Sequence, residues 1–91
     1  MRIVTVCGAG VGTSAILATT VRRALARLDV EAEVAASSTD DVARDAADAQ
    51  LVLTTPEWFT RVRAEAGTAH VAVVDRIMDL EAVTSVLERE L

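Results

Sequence analysis

The segment Cys7 to Ser14, C-G-A-G-V-G-T-S, holds the residue types in this chain best suited to covalent chemistry. Glycines at the alternate positions 8, 10 and 12 let the backbone curl with several N–H groups pointing inward, as an anion-binding nest requires. A helix opening near Ser14 adds its own unpaired N–H groups and the positive end of its dipole. Cys7 stands where a strand gives way to this loop, with its sulfur expected to face the nest. A helix N-terminus can lower a thiol pKa to roughly 3.5–7.5, so the spacing predicts a thiolate at neutral pH. The chemistry implied is nucleophilic attack on phosphorus. Cys7 is the candidate nucleophile, and Gly8, Ala9, Gly10, Val11, Gly12, Thr13 and Ser14 are the candidate phosphate-binding residues. The hydroxyls of Thr13 and Ser14 are suited to donate to the sulfur or to phosphoryl oxygens, and equally to cap the helix. The plainer alternative for Cys7 is a buried, unreactive small residue.

Several other chemistries are excluded by residue type and spacing. The glycines fall at G-x-G-x-G rather than G-x-G-x-x-G, and Ala36, Ser37 and Ser38 stand where a dinucleotide site wants an acidic residue. All nine basic residues are arginine, so a Walker A lysine, a Schiff base and a lysine general base are all absent. One cysteine and one histidine cannot make a Cys/His zinc site or a disulfide framework, and no metal or cofactor is expected. Cysteine phosphatases grip phosphate with an arginine six residues after the nucleophile, in C-x-x-x-x-x-R. Here that position is Thr13. A thiol without that clamp is better suited to passing a phosphoryl group on than to hydrolysing it.

The elements that must hold this loop follow from periodicity. Arg2 to Val6 is β-branched and reads as a strand. From Ser14, Leu17, Val21, Ala24 or Leu25, and Leu28 recur at helical spacing, with Arg22, Arg23 and Arg27 on the other face. Val30 to Ala36 alternates as an edge strand does, and Ser38 with Asp41 predicts a cap for a short helix through about Ala47. Leu51 to Thr54 reads as a buried strand, followed by a helix with Thr55 as N-cap, Pro56 first and Gly67 at its close. His70 to Val74 is a fourth strand, and Asp79 caps a last helix facing inward through Leu80, Val83, Leu87 and Leu91. The order βαβαβαβα makes an α/β fold: a small open parallel four-stranded sheet, order 2-1-3-4, with helices on both faces. Ligands bind such sheets beyond the carboxyl ends of the strands, where strand order reverses. That point lies between strands one and three, where Cys7 to Ser14 emerges.

The whole-chain numbers agree. Ninety-one residues with 52% hydrophobic content fit a single domain over residues 1–91, too apolar for disorder. No apolar run is long enough for direct membrane insertion, and no signal peptide is apparent. Fourteen acidic against nine basic residues give a net charge of −5, which argues against nucleic acid as a partner.

With these motifs in place, the chain resembles the EIIB component of the bacterial phosphoenolpyruvate-dependent sugar phosphotransferase system, ascorbate/galactitol type. The likeness rests on I-V-T-V-C-G-A-G-V-G-T-S at Ile3–Ser14, L-V-L-T-T-P-E at Leu51–Glu57, and V-V-D-R-I-M-D at Val73–Asp79, and covers nearly the whole chain. It implies that Cys7 accepts a phosphoryl group from a phosphohistidine on EIIA and delivers it to a sugar in the membrane-embedded EIIC. It further implies a cytoplasmic protein, held at the inner face of the membrane through EIIC, in which Gly8 to Ser14 cradle the phosphate. The alternatives are a stand-alone cysteine phosphatase and a regulatory module controlled by phosphocysteine.

Other residues carry weaker expectations. His70, at the opposite sheet end from the loop, is not expected to relay phosphate. Asp75 ends strand four at the functional edge, as a turn cap or an acid, and Thr54 and Thr55 reach the same edge. Trp58 and Phe59 cannot share one narrow helix stripe, so one is expected in the core and the other as an exposed anchor. Arg22, Arg23 and Arg27 form a basic stripe suited to donor docking.

Overall fold

The structure, a computed structural model, describes residues 1–91. Its elements are β1 (Arg2–Val6), α1 (Gly12–Arg27), β2 (Glu33–Ser37), α2 (Val42–Asp45), β3 (Leu51–Thr54), a 3-10 turn (Pro56–Trp58), α3 (Phe59–Glu65), β4 (His70–Val73) and α4 (Leu80–Glu90). All strand pairs are parallel, in the order β2-β1-β3-β4. The expected fold is present.

Alternation along the strands divides the core in two. Ile3, Leu51, Leu53, Ala72 and Val74 face α1 and α4, where they meet Leu17, Val21, Val83 and Leu87. Val4, Val6 and Val52 face the other way, against Val42 and Val62 from the two short helices. β3 is buried from end to end, and β1 from Ile3 onward, because helices cover both faces, which is why both are rich in aliphatic residues without strict alternation.

Element boundaries depart from the sequence reading in four places. α1 begins at Gly12, so Gly12 and Thr13 belong to its first turn rather than to the loop before it. At its end Asp29 turns left-handed (φ 56°), and the N–H groups of Asp29 and Val30 return to the carbonyls of Ala26 and Leu25. Val30 is thereby spent on closing the helix, and β2 starts only at Glu33. α2 is a single turn, with Asp41 at its N-cap making no side-chain cap bond, and only Val42 of the helix itself is buried. Thr55 opens a 3-10 turn instead of capping a helix, and α3 follows from Phe59. Asp79 does cap α4, its Oδ1 accepting from the Ala82 N–H at 3.1 Å.

Candidate functional site

The site is built where β1 ends. Val6 is in register with Ser37 of β2 on one side and Thr54 of β3 on the other, so the next residue of all three strands reaches one edge. Cys7 leaves β1 on the α1/α4 side and packs into that core cluster, with 8% of its surface exposed. Gly8 is buried, whereas Ala9 to Thr13 are exposed. None of the backbone N–H groups from Gly8 to Ser14 donates to an acceptor within the chain, and Ala15 is the first to do so, to Val11 at 2.8 Å. Seven consecutive donors beside a thiol, the last three in a helix's first turn, are thus left free to meet an anion.

The glycines are not equivalent. Of the three loop glycines only Gly8 has a positive φ, +144°, and a Cβ there would lie 3.6 Å from the indole ring of Trp58. Gly10 and Gly12 have ordinary φ and open space around them, so the expectation that all three supply special backbone geometry holds only for Gly8.

Ser14 corrects the sequence reading as well. Its side chain is fully buried, and its hydroxyl lies 2.8 Å from the carbonyl oxygen of Ser37 and 3.1 Å from that of Val11. Its own carbonyl accepts from the Thr5 hydroxyl at 2.7 Å. The hydroxyl therefore ties the start of α1 to the end of β2 and is not free for sulfur or phosphate, although its N–H is. Ser14→Ala leaves the Ser37 carbonyl without this donor inside the protein, at a cost of about 1–3 kcal/mol. A thermal melt should show the midpoint falling by several degrees, and an unchanged midpoint would refute this role.

The thiol itself is the largest departure from expectation. Burial first, and the negative charge of Glu57 second, push the Cys7 thiol up to about 11. Packing of Cys7 against the apolar cluster under α1 favours the neutral thiol over the thiolate. Alkylation by iodoacetamide is expected to climb about tenfold per pH unit from 7 to 10 and level off near 11. A plateau at or below pH 8 would restore the thiolate. The same shift sets a stability trend: the unfolded thiol ionises near 9 and the folded one near 11, so stability declines between those values as pH rises.

Residues outside the loop complete the picture. The Thr39 N–H donates to the Gly8 carbonyl at 2.9 Å, which fixes the segment after β2 against the loop. The hydroxyl oxygens of Thr39, Thr54 and Thr55 are buried without a hydrogen-bond partner, all three on segments leaving strands at this edge. Sequence reasoning missed Thr39 and the roles of Glu57 and Trp58. The available signal was position, since each follows within four residues of a strand's carboxyl end.

The remaining candidates separate. His70 sits at the opposite end of the sheet, its Nε2 2.8 Å from Glu90. Asp75 is exposed at the functional edge. Neither aromatic residue is fully buried: Trp58 packs at the edge of the Val4–Val6 cluster and against Gly8, and Phe59 lies half-buried under Arg63, whose guanidinium carbon is 5.9 Å from the ring centre. The basic stripe is broken up, because Arg22 donates to the Val34 carbonyl at 2.9 Å and Arg27 pairs with Glu81 at 2.6 Å. Only Arg23 remains unpaired, in a groove of about 260 Å³ beside Ile16 and Met78.

Comparison with known proteins bears on these features. No curated protein matches the sequence. Among solved structures, the chain is similar to the lactose-specific IIB component domain of the phosphoenolpyruvate:carbohydrate phosphotransferase system from Streptococcus pneumoniae. The two are 17% identical with a TM-score of 0.68, over 100% of this chain and 90% of that one. It is also similar in fold to a YwlE mutant from Bacillus subtilis, at 14% identity and a TM-score of 0.51, over 99% of this chain and 90% of that one. The family described as PTS system, Lactose/Cellobiose specific IIB subunit, matches residues 2–89. This corrects the ascorbate/galactitol subtype suggested by the sequence motifs, which the short loop of alternating glycines and the β-branched strand before it do not discriminate. With a match over nearly its full length, the chain belongs to the lactose/cellobiose-specific IIB subunits of the sugar phosphotransferase system.

Proposed function

We propose that this IIB domain, spanning residues 1–91, carries a phosphoryl group on Cys7 between two partners. The group comes from a phosphohistidine on an EIIA component and goes to a sugar held by a membrane-embedded EIIC. The observation that carries the reading is the pairing of one thiol with the free N–H groups of Gly8 to Ser14. In the first transfer the Cys7 sulfur attacks phosphorus in line, the S–P bond forms and the N–P bond breaks. The thiol proton passes to the departing imidazole nitrogen, so a thiol protonated at rest brings the proton its donor needs. The free N–H groups take up charge on the equatorial phosphoryl oxygens. In the second transfer a sugar hydroxyl oxygen attacks phosphorus, the S–P bond breaks, and the hydroxyl proton returns to sulfur.

The sugars proposed are disaccharides of the lactose and cellobiose class, in keeping with the family, with selection made by EIIC. The place of work proposed is the cytoplasmic face of the membrane beside EIIC, in keeping with the family. Thr13, where a phosphatase of the C-x-x-x-x-x-R kind has its arginine, favours hand-on over hydrolysis.

Incubation with phosphoenolpyruvate, the general phosphotransferase proteins and the cognate EIIA should add one phosphoryl mass, mapped to Cys7. Lactose or cellobiose with EIIC membranes should then remove it. A label on His70, or none at all with EIIA fully phosphorylated, would refute the reading. Turnover of p-nitrophenyl phosphate would favour the phosphatase.

A further inference from the structure

The acidic residues leaving the strands at the carboxyl edge are mostly neutralised. Asp40 lies 3.6 Å from Arg61, Asp41 3.7 Å from Arg44, and Asp79 both caps α4 and lies 3.5 Å from Arg76. Glu57 and Asp75 have no cationic partner, and the loop from Cys7 to Ser14 contains no charged residue. Glu57 is the nearer of the two by topology, because β3 adjoins β1 whereas β4 lies one strand further out. The turn that carries it is placed beside the loop. Thr55 is extended, Pro56 starts the 3-10 turn, and Trp58 lays its indole against Gly8, the residue after the thiol. A site evolved only to hold a dianion would not leave an uncompensated carboxylate there.

We propose that Glu57 sets the phosphoryl-transfer potential of Cys7. Its carboxylate, carried beside the loop on the Pro56–Trp58 turn and lacking a counter-ion, disfavours negative charge on the sulfur and on the phosphoryl group that the sulfur carries. It is a positioning residue, acting through Cys7 without touching substrate, and the inference rests on the phosphocysteine reading. The repulsion raises the free energy of phosphocysteine relative to thiol. Loading from EIIA is therefore less complete, and discharge to an acceptor is more favourable. The upward shift of the thiol, to which the Glu57 charge contributes, has the same sign.

The test replaces Glu57 by Gln, with Asp75→Asn as a control that removes the other unpaired charge. Glu57 is exposed, so neither substitution disturbs the core. In Glu57→Gln the iodoacetamide profile should move to lower pH, with alkylation at pH 8 rising about three- to tenfold, while Asp75→Asn stays close to wild type. At equilibrium with phosphorylated EIIA, Glu57→Gln should hold about three- to tenfold more phosphoryl group relative to EIIA than wild type does. Glu57→Asp should lie nearer wild type on both measures. An unchanged alkylation profile, or an equal shift in Asp75→Asn, would overturn the role of Glu57 whatever the phosphotransfer assay shows. If the thiol profile moves as expected but wild-type Cys7 accepts no phosphoryl group, the phosphocysteine reading fails, and the transfer-potential role fails with it.

Discussion

Cys7→Ser is expected to abolish phosphoryl transfer to and from this protein while leaving it folded. The chain has no second thiol, and the hydroxyl of serine is a far weaker nucleophile at neutral pH. A serine phosphate, if one formed, would also be a poorer donor to a sugar. The variant should show no phosphoryl mass after incubation with phosphorylated EIIA and no sugar phosphorylation with EIIC membranes. The change carries a cost to the fold, because Cys7 is 8% exposed and packs within the core cluster under α1. Burying a hydroxyl there without a partner costs about 1–3 kcal/mol. Cys7→Ala avoids that hydroxyl and should be equally inactive with native circular dichroism. Residual transfer above background in either variant would place the acceptor elsewhere.

Gly8→Val should produce the second large loss, through both stability and activity. A β-branched residue is strained at φ +144°, and its side chain would extend beyond a Cβ that already lies 3.6 Å from the Trp58 ring. Backbone strain of this kind costs roughly 1–3 kcal/mol before any displacement of the indole. Relief requires the loop to turn over, which moves the Gly8 carbonyl away from the Thr39 N–H and disturbs the row of free donors. A fall in the thermal midpoint of several degrees and at least a tenfold drop in the rate of Cys7 phosphorylation are expected. Gly10→Ala and Gly12→Ala serve as internal controls, since both positions have ordinary φ and empty surroundings. Their melts should remain within a few degrees of wild type. Equal sensitivity at all three glycines would mean that Gly8 has no special place.

The layout of the sheet and the location of the loop were legible because they depend on patterns that burial enforces. β1 and β3 lie between two layers of helix, so they are rich in Ile, Val and Leu on both faces, and β-α alternation then dictates parallel pairing. Glycine spacing marked the loop for the same local reason. What the sequence concealed depends on contacts across the chain. Whether Ser14 meets phosphate or the Ser37 carbonyl is decided by where β2 ends, twenty-three residues later. The protonation of Cys7 is decided by the core cluster beneath α1 and by Glu57 arriving from β3. Nothing in C-G-A-G-V-G-T-S reports either. Arg22 shows the same limit: helical spacing puts it on an outward face, yet its guanidinium bends back to the exposed edge of β2.

The central position of β1 has a consequence for synthesis. Cys7 follows directly on β1, but β1 pairs on one side with β3, beginning at Leu51, and Trp58 packs over Gly8. On a ribosome, β1 must wait with one edge open until β3 and the Pro56–Trp58 turn have emerged. Long-range parallel pairing of this sort is slow and exposes apolar backbone to other chains. A nascent chain that stops before residue 51 therefore carries Cys7 with α1 and β2 but without the Leu51, Leu53, Val83 and Leu87 side chains that complete its cluster. The order in which the walls arrive leaves the proposed nucleophile less covered in the unfinished chain than in the folded domain, where 8% of Cys7 is exposed.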